Sequence, residues 1–213
     1  MPQIPFFNRI VLKPKLILIV ALLGLTRNFT CFAQTRLSPY EFWWAVGHPL
    51  AALKVRKHLP SALVIYDQQR RLAQPDAFNS GGKLDAFRHI YTMAYLTAYV
   101  KPRKLRKLGV AHEKGNRRQF RKGRLEEGER PDSLACEMDL RNNELGFAIG
   151  KALKCAADTA LRDAVLQAIA EGKAWFLKRN NQGQYVDCAG KVLNLASYRN
   201  VWYVPKCLVE TSQ

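Results

Sequence analysis

Between residues 84 and 100, apolar side chains recur at 84, 87, 90, 91, 94 and 98. That spacing returns to one face of a helix every 3.6 residues. A helix with such a stripe must bury it against other helices or a sheet. No segment of comparable length alternates as a strand does. The helical period recurs over residues 134–154, and over 159–179 with Leu161, Val165, Ile169 and Phe176 as the stripe. The prediction is all-α: a compact multi-helix domain followed by an irregular C-terminal tail.

Local signals divide the rest. Ser38-Pro39-Tyr40-Glu41 has Ser at the N-cap, Pro at N1 and Glu at N3, a capping box that opens a helix. His48-Pro49 should break that helix before residues 51–57 continue. Pro60-Ser61 should start another, carrying Leu63, Val64, Ile65 and Leu72. Asn79-Ser80-Gly81-Gly82 reads as a loop. Gly115-Asn116 and the glycines at 123 and 128 should cut residues 101–130 into short pieces. Asp158 should cap the helix that follows. Beyond residue 180, Gly183, Gly190, Tyr185-Val186 and residues 201–204 read as loops with one short hairpin. The aromatic run Phe42, Trp43, Trp44 reads as core rather than as a lipid-binding wedge.

Charge narrows the partners. The chain carries 34 Lys+Arg against 17 Asp+Glu, a net +17. Residues 101–130 alone hold twelve basic and four acidic side chains. This favours anionic material: an anionic component of the cell envelope or another polyanion. Arg9, Lys13 and Lys15 precede an apolar stretch at residues 16–25, and Ala33 suits a signal-peptidase cut. Residues 1–33 therefore read as a signal peptide, with an N-terminal membrane anchor as the other reading. An exported chain, periplasmic or secreted, makes nucleic acid a poor candidate partner. No apolar run reaches the roughly 18 residues of a membrane span. The domain would then occupy residues 34–180, with residues 181–213 packed on it.

Past the signal, four cysteines remain: Cys136, Cys155, Cys188 and Cys207. An even number in an exported chain points to disulfides. One helix over 133–154 would put Cys136 and Cys155 about 28 Å apart, far beyond the reach of a bridge. If all four pair, Cys136 takes Cys188 and Cys155 takes Cys207, or Cys136 takes Cys207 and Cys155 takes Cys188. Four free thiols are the other reading. No two cysteines have zinc-ligand spacing.

Three segments concentrate polar groups. In Asp85-Ala86-Phe87-Arg88-His89, Asp85 and His89 stand at i and i+4 and share a helix face. A carboxylate beside an imidazole suits metal ligation or acid/base chemistry, and Arg88 suits a bidentate grip on phosphate. His112-Glu113 is a second such pair, but adjacent helical residues point about 100° apart, so one of them acts and the other orients. In Met138-Asp139-Leu140-Arg141-Asn142-Asn143, the set Asp139, Asn142 and Asn143 lies on one face. Two Asn in mid-helix disfavour the helix and need a reason, an ion site or a buried polar network. Gly146 and Gly150 allow another helix close. His48 reads as a satisfied histidine at a kink, and His58 as a structural cation at a helix end.

Together, Asp85-Ala86-Phe87-Arg88-His89, His112-Glu113 and Met138-Asp139-Leu140 with Asn142-Asn143 and Gly146 resemble a bacterial family known only as a domain of unknown function. The resemblance spans roughly residues 40–155. It implies exported, toxin-like or wall-associated settings and groups these residues without implying a reaction. The extra basic residues between Lys101 and Arg130 depart from its pattern.

Two functions follow as expectations. One is an exported hydrolase of an anionic envelope substrate, a phosphoester of a lipid or wall precursor. Asp85, Arg88, His89, His112 and Glu113 would be catalytic. Asp85, His89, His112, Asp139 and Asn143 would hold one divalent metal ion, or the His–carboxylate pairs would work without metal. The other is a non-catalytic basic module for polyanions, with a structural Asp/His/Asn network. Oligomeric state is not encoded in any feature of the sequence.

Overall fold

The periodic segment forms a helix, Lys83–Thr97, on which Ala86, Phe87, Ile90 and Tyr91 are fully buried. The computed structural model describes residues 37–126, 128–154 and 156–212. The expected signal peptide, residues 1–33, lies outside the described residues, as does Cys155. Among the described residues six α-helices run in chain order: α1 Pro39–Gly47, α2 Pro49–Arg71, α3 Lys83–Thr97, α4 Pro102–Arg121, α5 Ser133–Ala152 and α6 Asp158–Ala170. Two short strands, β1 Trp175–Leu177 and β2 Leu208–Glu210, pair antiparallel with Trp175 opposite Glu210. The chain is all-α in character, as its periodicity predicts.

Helix α3 is central. Ala62 of α2, and Leu161, Val165 and Ile169 of α6, join Phe87, Ile90 and Tyr91 in one apolar core. A second core joins Trp44, Val55, Leu96, Leu105 and Phe147. Helix α5 comes closest to α3: a Cβ added at Gly146 would stand 2.5 Å from the Ile90 carbonyl oxygen, and one at Gly150 would strike Ala94. Only glycine fits such an approach.

The capping box forms as read. The Ser38 hydroxyl accepts from the Glu41 N–H at 3.3 Å, and Glu41 Oε2 accepts from the Ser38 N–H at 2.7 Å. The break at His48-Pro49 also forms. Helix α2, however, runs unbroken through Pro60. Pro60 lies on the exposed side, while Val55 and Ala62 before and after it are buried in the core, and that packing outweighs the lost hydrogen bond. His58 therefore sits in mid-helix, stacked on Tyr99 at 3.5 Å.

Helix α4 corrects a second expectation. It passes straight through Gly109 and Gly115. Both are points of close contact rather than breaks: a Cβ at Gly115 would meet Ser38 at 2.8 Å, and one at Gly109 would meet Asn143 Nδ2 at 3.0 Å. The last helix is shorter than its stripe suggests. It ends near Gly172, which has φ +81°, and Phe176 belongs to β1 instead. The sheet pairs residues 175–177 with 208–210, so its first strand lies before the tail rather than in a hairpin within it. Tyr185-Val186 contributes two isolated bridges, Arg179 to Tyr185 and Val186 to Val192, and Trp202 lies in a loop. The aromatic run divides: Trp44 is core, whereas Trp43 is 67% exposed and Phe42 43%.

The cysteines pair against expectation. Cys188 bonds Cys207, and Cys136 is a buried free thiol. The elimination assumed that all four must pair. Cys136 instead lies inside the helical body beside Glu113, and the bridge closes a loop within the tail. The tail is held to the body by β2 on β1. The bridge spans 19 residues, for which loop-closure entropy gives about 3 kcal/mol. Cys188→Ser/Cys207→Ser is expected to lower unfolding free energy by about that amount, read by urea titration.

Candidate metal centre

Helix α3 delivers Asp85, Arg88 and His89, and α5 delivers Asp139 and Asn143. The glycine contacts between these helices bring Asp139 against His89. Asp85, His89 and Asp139 are 4%, 9% and 7% exposed. One ligand atom from each lies within 4.8 Å of the other two. His89 Nε2 is 3.2 Å from Asp139 Oδ1 and 3.6 Å from Asp85 Oδ1. Ligands about 2.0–2.1 Å from a tetrahedral ion stand about 3.3 Å from each other, close to the two separations that His89 Nε2 makes.

The protons sharpen this. His89 Nδ1 lies 3.3 Å from Asn143 Oδ1. An amide oxygen only accepts, so Nδ1 carries the proton and Nε2 presents its lone pair to the two carboxylates. Burial, with the Arg88 charge adding, holds His89 well below its ordinary pKa, so it stays neutral. Burial likewise pushes Asp139 well above the carboxylate range, with the charges of Asp85 and Glu113 adding. Asp85 is pushed up by burial against the pull of Arg88 and the Gly81 N–H. Asp139 Oδ1 has no hydrogen-bond partner among the described residues. One imidazole nitrogen and two carboxylate oxygens thus converge, with the Arg88 guanidinium beside them.

Asp85 is held from behind. Its Oδ2 accepts from the Gly81 N–H at 2.7 Å, and Gly81 has φ +68°, a conformation that glycine adopts without strain. Arg88 Nη2 donates to Asp85 Oδ1 at 2.7 Å and lies 3.2 Å from His89 Nε2. The first turn of α3 is tied down by Asp76, whose carboxylate accepts from Lys83 N and Leu84 N at 2.6 and 3.0 Å.

Asp85, Arg88 and Asp139 also line a cavity of about 20 Å³ with Glu126, Arg130 and Lys206. That is room for roughly one water molecule. Its wall mixes both signs: Arg88, Arg130 and Lys206 stand among the carboxylates of Asp85, Asp139, Glu126 and Glu129. Lys206 is anchored on Asp132 at 2.7 Å.

The remaining residues of the sequence reading stand apart. His112 Nδ1 is 3.0 Å from Glu41 Oε1, and its Nε2 is 3.3 Å from Glu126 Oε1. Burial lowers its pKa, but the hydrogen bonds to Glu126 and Glu41 outweigh this and hold it well above the ordinary value. It is a cation between two carboxylates, outside the triad, and it touches the cavity only through Glu126. Glu113 points elsewhere, as the 100° step requires. It accepts from Asn116 Nδ2 at 3.0 Å, and burial pushes it up to about 7. Asn143 grips the far side of the His89 ring. Asn142 turns away to clamp β1: its Nδ2 donates to the Trp175 carbonyl and its Oδ1 accepts from the Trp175 N–H, both at 2.9 Å. Asn142→Ala is expected to cost about 1–3 kcal/mol, leaving two part-buried backbone groups of Trp175 without these partners, without altering cation binding. His48 Nδ1 lies 3.0 Å from the Trp44 carbonyl oxygen, a satisfied histidine at the kink.

Sequence reasoning missed Glu126, Arg130 and Lys206. Glu126 had a signal, an acidic pair with Glu127 in an otherwise basic stretch. Lys206 had none.

The chain matches the family described as Domain of unknown function (DUF6973) over residues 42–173. That is more than half of its length, and the chain belongs to this family. No curated protein and no solved structure matches it.

Proposed function

We propose that the chain is a metal-dependent hydrolase of phosphoesters in an anionic substrate of the cell envelope, with a divalent ion held by Asp85, His89 and Asp139. One observation carries this reading: the unprotonated Nε2 of His89 faces two buried carboxylates at 3.2 and 3.6 Å. An imidazole with two carboxylates suits zinc or manganese. Such an ion supplies Lewis acidity and water activation. The chain's own groups do the rest. The cavity takes the attacking water, from which Glu126 accepts a proton, and Arg88 and Arg130 draw the phosphate oxygens of a substrate seated at its mouth. Asn143 keeps the His89 ring oriented. Export rests on residues 1–33.

A second observation favours the other reading. Arg88 Nη2, 2.7 Å from Asp85 and 3.2 Å from Nε2, already places a cation beside the cluster. On that basis the triad is a structural network in a basic binding module, or a metal-free His–carboxylate pair.

Turnover separates them. Chelated protein is assayed on a phosphodiester and on phosphatidylglycerol, with zinc, manganese or calcium restored. The hydrolase reading predicts ion-dependent release of product, abolished in His89→Ala and reduced at least a hundredfold in Glu126→Gln, with melting temperatures within a few degrees. Ion-independent turnover would point to the metal-free pair. No turnover with any ion, beside heparin affinity that falls steeply with salt, would establish the binding module.

A further inference from the structure

Away from the triad, α1 and the start of α2 leave large apolar side chains in solvent. Trp43 is 67% exposed, Leu50 72%, Val46 40% and Leu53 42%. Single exposed apolar residues are ordinary, but a contiguous set on neighbouring turns marks a contact surface. Helix α4 packs beside α1, with His112 held on Glu41. Its outer side carries Arg103, Lys107, Lys114, Arg117 and Arg121, all exposed. Their spacing of four, seven, three and four residues keeps them on one stripe. None of the five belongs to an ion pair among the described residues. The two surfaces meet at Tyr40, which lines one groove with Lys114, Arg117, Arg118 and Arg121.

We infer that this face docks on the surface of an anionic lipid bilayer. Apolar side chains beside Lys and Arg are what an interfacial helix presents to headgroups and the acyl boundary, and each basic residue near an anionic leaflet adds about 1 kcal/mol. Charge complementarity selects an anionic bilayer over a neutral one. The aliphatic members select a bilayer over nucleic acid, because Val46, Leu50 and Leu53 cannot stack on bases as aromatic platforms do. Tyr40 and Trp43 suit the headgroup level, apolar in body and polar at the tip. The surface is distinct from the triad, so it stands or falls independently of the metal reading.

The test is quenching of tryptophan emission by brominated acyl chains, using the full chain with phosphatidylcholine vesicles and with vesicles containing phosphatidylglycerol. Residues 1–36 hold no tryptophan, so any quenching reports on the folded domain even if the N-terminus inserts. The expected result is quenching on anionic vesicles that is largely lost in Trp43→Phe. Lys114→Glu/Arg117→Glu/Arg121→Glu should weaken vesicle affinity at least tenfold and leave the circular dichroism unchanged. His89→Ala should quench as the parent does. Quenching that survives Trp43→Phe, or that is equal on neutral vesicles, would overturn the inference. So would vesicles that never quench while heparin binding falls in the triple variant, which would make this face a polyanion site.

Discussion

Gly150→Val is expected to destabilise the protein by at least about 3 kcal/mol, the upper range for forcing extra atoms into a packed interior. The first added carbon would press on the Ala94 carbonyl, with Ala94 Cα at 2.8 Å. Those are backbone atoms of α3, so relief requires the two helices to part. Parting them withdraws Asp139 and Asn143 from His89, and the variant should lose cation binding along with stability. Gly47→Ala is the control. Nothing lies within 4 Å of a Cβ there, and a change within about 1 kcal/mol is expected from helix propensity alone. Urea unfolding of both variants checks this.

Asp139→Asn is expected to act in the opposite direction. An amide there carries no charge against Asp85 and can donate toward Asp85 or His89 Nε2. The ion-free variant should be more stable than the parent at pH 7, by about 1–3 kcal/mol, the usual cost of a buried polar group without a partner. The sign follows from linkage. The folded-state pKa of Asp139 is raised above 3.8, so the folded chain binds this proton more tightly than the unfolded chain does. Its contribution therefore lowers the parent's stability as pH rises above about 4. The gap between variant and parent should open with rising pH and vanish below the ordinary carboxylate value. A saturating divalent ion should reverse the order, since 100 times Kd is worth about 2.7 kcal/mol to the parent and little to the variant. A variant less stable than the parent at every pH would mark the triad as a structural network.

The helices were legible because their cause is local. The stripe of α3 and the box at Ser38 each lie within a few turns of chain. Asp85 and His89 were legible for the same reason, since i and i+4 share a face whatever surrounds them. Asp139 and Asn143 showed as an anomaly, polar residues costly in mid-helix. Their different partners were not readable: adjacent Asn142 and Asn143 differ only in what packs opposite, β1 for one and His89 for the other. Glycine carried two meanings that sequence alone does not separate. Gly146 and Gly150 were read as contacts and are contacts. Gly115 reads as a cut in the basic stretch, yet it and Gly109 are contacts inside α4. Pro60 misled because its cost is local and its compensation is tertiary. The bridge between Cys188 and Cys207 was missed because cysteine parity says nothing about a thiol enclosed by a helical body. Glu126 and Lys206 reach the cavity from loops whose path no periodicity encodes.

The most direct test of the cation site is calorimetric titration of chelated, folded protein with zinc and with manganese, beside His89→Ala and Asp139→Asn. The proposed metal site predicts one equivalent bound by the parent with release of protons, because Asp139, held well above the carboxylate range, must ligate as the carboxylate, and no binding by either variant. No heat and no bound ion in the parent with either metal, its fold intact, would contradict the assignment and leave Arg88 as the cation the triad was built around.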